Sequence, residues 1–96
     1  MSEFRKQYGP WAIVTGASAG IGKSFATELA SRGLNVVLVA RRQSLLDDLQ
    51  VDLSEDYGVE IRTIRADLTN PESISMIELL TSDLEVGLVV PNAGAE

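Results

Sequence analysis

The chain has 96 residues, enough for one small domain, and its 45% apolar and 23% charged residues are typical of a globular protein. Its net charge of −6 argues against general binding to nucleic acids, which depends on clustered lysine and arginine. Cysteine and histidine are absent, so disulfides and thiolate metal sites are excluded and no metal site is expected.

The N-terminal segment, residues 1–10, is polar and is predicted to be a loose lead-in that ends at Gly9 and Pro10. It lacks the apolar stretch of a signal peptide. No apolar run approaches the ~20 residues of a membrane span. We therefore expect a soluble cytoplasmic protein without a membrane span.

A glycine-rich turn follows the apolar run Trp11–Val14, which is typical of a strand buried on both faces. Gly16 allows a tight turn, Gly20 lets the backbone approach a pyrophosphate, and Gly22 lets the next helix pack close to the sheet. The helix start adds free N–H groups and the positive end of the helix dipole, which favour an anion. A turn without a ligand is the alternative, but the strand before and the helix after it favour nucleotide binding.

Two further patterns predict the first helix and the second strand. The helix is predicted to end at Gly33. Its apolar residues at helical spacing are Ile21, Phe25, Ala26, Leu29 and Ala30. Val36–Ala40 has no polar alternation, which fits a strand covered by helices on both faces.

The second helix is predicted to begin with a capping box formed by Ser44 and Asp47 and to end at Gly58. Its apolar stripe consists of Leu45, Leu46, Leu49 and Leu53. Residues 59–64 alternate between apolar and polar side chains, which predicts a half-covered third strand at the edge of the sheet.

A third helix with Pro71 in its first turn and a fourth strand over Val86–Val90 complete the chain. The candidate inward residues of this helix are Ile74, Ile77, Leu80 and Leu84. Right-handed crossovers between the strands predict an α/β fold with a doubly wound parallel sheet in the order 3-2-1-4. Its switch point lies between strands one and four, so a ligand is expected beside the glycine turn.

Three motifs in order along residues 10–95 resemble those of the short-chain dehydrogenase/reductase family. Thr15-Gly16-x-x-x-Gly20-x-Gly22 resembles the family's phosphate loop, and Ser18 and Ile21 match it as well. The segments 9–15 and 32–38 also resemble the branch that holds hydroxysteroid dehydrogenases and long-chain ketoacyl reductases.

The other two motifs follow the third and fourth strands. Asp67-Leu68 resembles the pair that this family sets against the adenine ring. Asn92-Ala93-Gly94 resembles the end of the family's N-N-A-G motif, and Pro91 replaces the first Asn, which removes one backbone donor and one side-chain amide.

The resemblance implies a Rossmann-like fold, incomplete here, with residues 1–96 as the N-terminal part of one NAD(P)-binding domain. It implies a nicotinamide cofactor and an oxidoreductase that interconverts a carbonyl substrate and an alcohol by hydride transfer. The family's catalytic Ser and Tyr-x-x-x-Lys are implied to lie beyond residue 96. Neither Tyr8 nor Tyr57 has a lysine four residues later, so we expect no catalytic residue and no activity in this chain alone. The alternative is a stand-alone nucleotide-binding or interaction module.

The end of the second strand indicates which cofactor is bound. An acidic residue there would hold the ribose hydroxyls of NAD, but Ala40 stands at that position and Arg41 and Arg42 follow. A guanidinium can pair with the 2′-phosphate of NADP, which a carboxylate would repel, so NADP is favoured over NAD. The alternatives are that the arginines are solvated or cap the next helix, and that Asp67 caps a turn.

The fourth strand would also present unpaired backbone groups along Val86–Val90 if no further strand lay beside it. Such an edge is a template for another chain, so the sequence predicts a homo-oligomer.

Overall fold

The structure, a computed structural model, describes residues 3–17 and 20–91. Within these ranges the chain alternates between helices and strands. The elements are α1 (Glu3–Tyr8), β1 (Trp11–Thr15), α2 (Gly20–Ser31), β2 (Asn35–Ala40), α3 (Gln43–Tyr57), β3 (Ile61–Arg65), α4 (Ser73–Leu80) and β4 (Val86–Val90).

The four strands form one parallel sheet in the order β3-β2-β1-β4, which confirms the predicted order. Ile13 at the centre of β1 pairs with Val37 of β2 and with Val89 of β4. Every residue of β1 and β2 is buried, whereas β3 and β4 at the two edges are only partly covered. The half-covered edge position predicted for the third strand is therefore confirmed.

Side chains that alternate across the sheet build two separate apolar clusters. The first lies between the sheet and the helices α2 and α3, with Leu38 and Leu49 among its buried members. The second contains Trp11 and Val39 from the sheet and Ile77 from α4. Helices thus cover both faces of the sheet, as the doubly wound fold requires.

The N-terminal segment forms the helix α1, so the prediction of a loose lead-in is wrong. The backbone N–H of Gly9 donates to the Arg5 carbonyl at 2.8 Å, and Nη1 of Arg5 donates to the Gly33 carbonyl at 3.1 Å. A Cβ atom added to Gly87 of β4 would lie 2.5 Å from the carbonyl oxygen of Tyr8. A polar helix of 6 residues is marginal by itself, and these contacts with distant segments stabilise it.

The capping box predicted for α3 is also wrong. The helix begins at Gln43, one residue before Ser44, and the N-cap residue Arg42 makes no side-chain cap hydrogen bond. The amide of Gln43 donates instead to Oδ1 of Asp47 at 2.8 Å. The end at Gly58 is confirmed, because this residue has φ 66° in the left-handed region that glycine adopts readily. The buried leucines of the predicted stripe are Leu46, Leu49 and Leu53.

The start of α4 lies two residues after Pro71, at Ser73, so the proline is outside the helix rather than in its first turn. Asn70 holds the turn before the helix, since its Oδ1 accepts a hydrogen bond from the Glu72 backbone N–H at 3.0 Å. A short polar side chain of this kind competes well for local backbone groups.

The apolar stripe predicted for α4 is only partly correct. Ile74 and Leu80 expose 56% and 46% of their surface, and Leu84 lies beyond the helix and packs against the second cluster. The buried side chains recur at every fourth residue and share Ile77 with the predicted stripe. These buried residues are Ser73, Ile77 and Thr81.

The close contact between α1 and β4 predicts that Gly87→Ala destabilises the fold. The added methyl group would overlap the backbone of Tyr8, and overpacking of this kind costs about 1–3 kcal/mol. Urea unfolding followed by circular dichroism measures the change. Val89→Ala on the same strand is the control, because Val89 is 56% exposed. Equal stability of Gly87→Ala and the wild type would contradict the close packing of α1 on β4.

Candidate functional site

The turn between β1 and α2 contains two glycines in the left-handed conformation. Gly16 has φ 64° and Gly20 has φ 61°, values that residues with a Cβ atom rarely adopt. Gly22 is buried, in keeping with close packing of α2 on the sheet. Ser18, also predicted for this turn, lies outside the described residues.

The space beside this turn suits an anionic group. A Cβ atom built on Gly20 meets no atom within 4 Å, so the space next to that backbone is open. The helix α2 begins at Gly20 and has no acidic residue in its first turn. Its first N–H groups and the positive end of its dipole are therefore not neutralised by a carboxylate of that turn. These residues fit the pyrophosphate of a dinucleotide.

Backbone pairing brings the ends of β2 and β3 to the same edge of the sheet as the glycine turn. The N–H of Ala17 donates to the Val39 carbonyl at 3.1 Å, and the N–H of Ala66 donates to the Ala40 carbonyl at 2.9 Å. Arg41 and Asp67, which the sequence analysis took from separate motifs, become neighbours at this edge. A cavity of about 360 Å³ between them is lined by Arg41, Arg65, Ala66, Asp67 and Met76.

The end of β2 carries positive charge at the surface. Ala40 is 1% exposed, whereas both arginines that follow it are exposed. Arg42 occupies the N-cap position of α3 and contributes its backbone carbonyl, which accepts a hydrogen bond from the Leu46 N–H at 3.2 Å. Its side chain makes no cap hydrogen bond.

Asp67 shapes the turn after β3. Its Oδ1 accepts hydrogen bonds from the Thr69 hydroxyl at 2.7 Å and from the Thr69 backbone N–H at 2.9 Å. These two bonds, with a smaller contribution from the charge of Arg41, lower the pKa of Asp67 against the opposing effect of desolvation. The hydroxyl of Ser73 donates to the backbone carbonyl of Asp67. Leu68 is half-buried and packs against the second apolar cluster.

Two apolar residues of the predicted helical stripe lie at the surface near the glycine turn. Ile21 is 65% exposed and Phe25 is 45% exposed, so neither belongs to the buried face of α2. The helix turns its small residues Ala26 and Ala30 towards the sheet, which allows close packing. A cavity of about 540 Å³ is lined by Gly20, Ile21, Ser24, Phe25 and Glu28.

Arg65 is a candidate residue that the sequence analysis missed. It is the last residue of β3, and its Nε donates to the Arg41 carbonyl at 3.2 Å. No motif contains it. The available signal was its position two residues before Asp67, at the end of a strand that must lie beside β2.

The predicted residues after β4, Asn92, Ala93 and Gly94, lie outside the described residues. Within the described ranges, no three acidic side chains come together as a group that could hold a metal ion. None of the helices there combines the length and the apolar character needed to cross a membrane.

A family model described as short chain dehydrogenase matches residues 10–96. The chain belongs to the short-chain dehydrogenase/reductase family. The resemblance seen in the sequence motifs is thereby confirmed, and the parallel sheet with helices on both faces is the fold expected of such a chain.

Similar curated proteins include both active and inactive members of the family. The chain is 45% identical over 86 residues to the very-long-chain 3-oxoacyl-CoA reductase of Macaca fascicularis. It is 44% identical over 90 residues to the inactive hydroxysteroid dehydrogenase-like protein 1 of Homo sapiens. These alignments cover 90% and 93% of the chain but span only 28% and 27% of the relatives.

Solved structures of the family superpose closely on the chain. A 7β-hydroxysteroid dehydrogenase matches 92% of the chain and 34% of its own length, with a TM-score of 0.88 and 36% identity. L-sorbose reductase from Gluconobacter frateurii, complexed with NADPH and L-sorbose, matches 91% of the chain and 34% of its own length, with a TM-score of 0.82 and 34% identity.

The hydrogen bonds of Thr69 predict that Thr69→Val raises the pKa of Asp67. The substitution removes the hydroxyl donor, which is the largest cause of the lowered value, and keeps the backbone donor. The pKa should move towards the ordinary aspartate value of about 3.9 without reaching it. Carboxyl carbon chemical shifts measured by NMR across an acid titration give the value directly.

The same substitution should reduce the loss of stability in acid. A carboxyl with a lowered folded pKa stabilises the fold above its unfolded pKa, and this contribution is lost as the pH falls through the folded value. Asp83 is the internal control, because its pKa is lowered by a hydrogen bond from Arg62 and should not change. An unchanged pKa of Asp67 in the variant would contradict the assignment of the Thr69 hydroxyl as the largest cause of the lowered pKa.

Proposed function

We propose that the chain binds NADP(H) at the carboxyl ends of β1, β2 and β3. We also propose that it forms the cofactor-binding part of an oxidoreductase that interconverts a carbonyl and an alcohol. The observation that carries the proposal is the position of Arg41, which follows a buried Ala40 at the edge of the sheet where β1 leads into the glycine turn. Family membership supports a nicotinamide dinucleotide as the ligand.

The pyrophosphate is proposed to lie against the turn of Gly16, Gly20 and Gly22. Open space beside Gly20 and the N–H groups of the first turn of α2, which has no acidic residue, support this position. Ser18 and Ile21 belong to the same proposed contact surface because they lie within the matched motif.

The adenosine part is proposed to lie over the ends of β2 and β3. Asp67 and Leu68 would face the adenine ring, and Arg41 and Arg42 would face the ribose. The residues proposed to line the end of β4 are Asn92, Ala93 and Gly94. The cofactor would supply the hydride, and this chain would bind and orient it.

The preference for NADP over NAD follows from charge at the end of β2. The side chain at position 40 is a methyl group, which cannot accept hydrogen bonds from ribose hydroxyls. The guanidinium of Arg41 can donate charge-assisted hydrogen bonds to a phosphate. The NADPH complex of L-sorbose reductase, a structural neighbour, supports the same choice.

Dinucleotide binding without catalysis is the second candidate function. The 44% identity to a human relative that is named inactive favours it. Tyr8 and Tyr57 also lack a lysine four residues later, so we propose that this chain by itself transfers no hydride. Oxidation of NADPH with a panel of ketones by this chain would contradict that proposal. Turnover by a longer protein that contains the chain would support the oxidoreductase, and NADPH binding without turnover by that protein would support the second candidate.

For cofactor choice, we expect Arg41→Ala to remove most of the preference for NADP. Loss of one charge-assisted contact weakens binding about ten- to a hundredfold, and NAD binding should not change. Calorimetric titration with both cofactors measures the two affinities. Arg32→Ala removes the same charge from an exposed arginine paired with Glu28, and serves as the control. Equal affinities of the wild type for NADP and NAD would refute the preference.

A homo-oligomer is a further proposal, and the position of β4 supports it. In the sheet formed by residues 3–17 and 20–91, β4 is an edge strand, and Val89 on it is 56% exposed. Pairing of two β4 strands about a two-fold axis would satisfy both edges. Sedimentation velocity across a concentration series should show association that Val89→Lys weakens. A folded monomer at every concentration would contradict this. The cytoplasmic location stays a prediction from the sequence.

A further inference from the structure

We propose that Arg65 is a specificity-determining residue, and that its guanidinium and that of Arg41 together bind the 2′-phosphate of NADP. This inference rests on the proposed function and deepens it. No sequence motif assigns a role to Arg65. The inference comes from the position of this side chain, its hydrogen bond to the Arg41 carbonyl and the charge around it.

The position of Arg65 follows from strand register. Arg65 is paired with Ala40 across the β2–β3 interface, and Arg41 is the next residue along the chain. Arg65 therefore ends β3 and Arg41 follows the end of the neighbouring β2, at the edge of the sheet where the glycine turn lies. Both line the cavity of about 360 Å³ at that edge.

A single hydrogen bond orients the guanidinium of Arg65. Its Nε donates to the backbone carbonyl of Arg41 at 3.2 Å. Among the residues that the structure describes, neither of its terminal nitrogens has a hydrogen-bond or ion-pair partner. The side chain is thus held at one end, with its remaining N–H donors available to a ligand.

Arg62 on the same strand differs from Arg65, because its terminal nitrogens are hydrogen-bonded within the chain. Its Nη1 and Nη2 donate to the two carboxylate oxygens of Asp83 at 2.9 and 3.1 Å, and Nη1 also donates to the Leu80 carbonyl at 3.0 Å. Its guanidinium lies 5.7 Å from the ring centre of Trp11. Arg62 therefore fastens β3 to the segment after α4, while Arg65 makes no such connection to a carboxylate of residues 3–17 or 20–91.

The charge at this edge is opposite to that of the whole chain. The net charge is −6, yet three of its eight basic residues, Arg41, Arg42 and Arg65, lie at the ends of β2 and β3. Among the described residues that line the cavity, Asp67 supplies the carboxylate, and its Oδ1 already accepts two hydrogen bonds from Thr69. Two guanidinium groups beside one cavity match the charge and geometry of a phosphate dianion.

The test distinguishes binding of the 2′-phosphate from binding of the rest of the cofactor. Calorimetric titrations of the protein compare NADP⁺ with NAD⁺, and 2′,5′-ADP with 5′-AMP, for the wild type and Arg65→Gln. We expect Arg65→Gln to weaken the binding of NADP⁺ and 2′,5′-ADP about ten- to a hundredfold, while the affinities for NAD⁺ and 5′-AMP stay the same. Arg32→Gln, which removes a distant exposed charge, should change none of the four affinities.

A second variant, Arg65→Lys, keeps the charge but loses the planar fork of donors. Its affinity for NADP⁺ and 2′,5′-ADP should lie between the affinities of the wild type and of Arg65→Gln. It provides the same comparison if Arg65→Gln does not fold. Equal weakening of NADP⁺ and NAD⁺ binding would overturn the inference, because it would show that Arg65 supports the site as a whole and does not bind the 2′-phosphate. Unchanged NADP⁺ affinity would also overturn it. Failure of the wild type to bind either dinucleotide would instead overturn the proposed function itself.

Discussion

Parallel pairing of β2 with β1 and β3 is the constraint on which the candidate site depends. Parallel strands end at the same edge of a sheet, so segments distant in the sequence meet there. The hydrogen bonds from Ala17 to Val39 and from Ala66 to Ala40 continue this alignment beyond the strands. Any shift of register would move Arg41 and Asp67 relative to the glycine turn.

Burial explains why the centre of the sheet can hold this register. Side chains of β1 and β2 alternate between two apolar clusters, one under α2 and α3 and one under α4. A slip of one residue would exchange the two faces of a strand and misplace its side chains. The edge strands β3 and β4 are less covered, and side chains such as Gln50, which donates to the Ile61 carbonyl at 2.7 Å, help to hold β3.

Electrostatics assigns different roles to residues of the same type. Arg62 and Arg65 are three positions apart on β3, but among the described residues only the former meets a carboxylate, that of Asp83. The hydrogen bonds between Arg62 and Asp83 raise the pKa of the guanidinium and lower that of the carboxyl, as expected of a stabilised ion pair. Composition and net charge do not reveal such a division, because it depends on which segment lies opposite each side chain.

The sequence by itself determined the strands, their order and the glycine turn. Continuous apolar runs such as Trp11–Val14, and the alternation of the third strand, depend on burial alone and can be read from the residues. Left-handed glycines at positions 16 and 20 fit the motif, since no other residue adopts that backbone conformation as readily. The missing acidic residue at Ala40 and the two arginines after it could be read from the sequence in the same way.

Only the tertiary structure decided the features that depend on distant partners. The helix α1 is too short to be stable without its contacts to β4 and to Gly33, so its polar sequence indicated a loose segment. The buried face of α4 depends on how the helix packs on the sheet, where Ile77 joins the second cluster while Ile74 and Leu80 lie at the surface. Arg65 became part of the candidate site because backbone pairing places it beside Ala40, and a hydrogen bond between residues 24 positions apart orients it. Sequence patterns report local preference and burial, whereas these contacts arise only when the strands are assembled into the sheet.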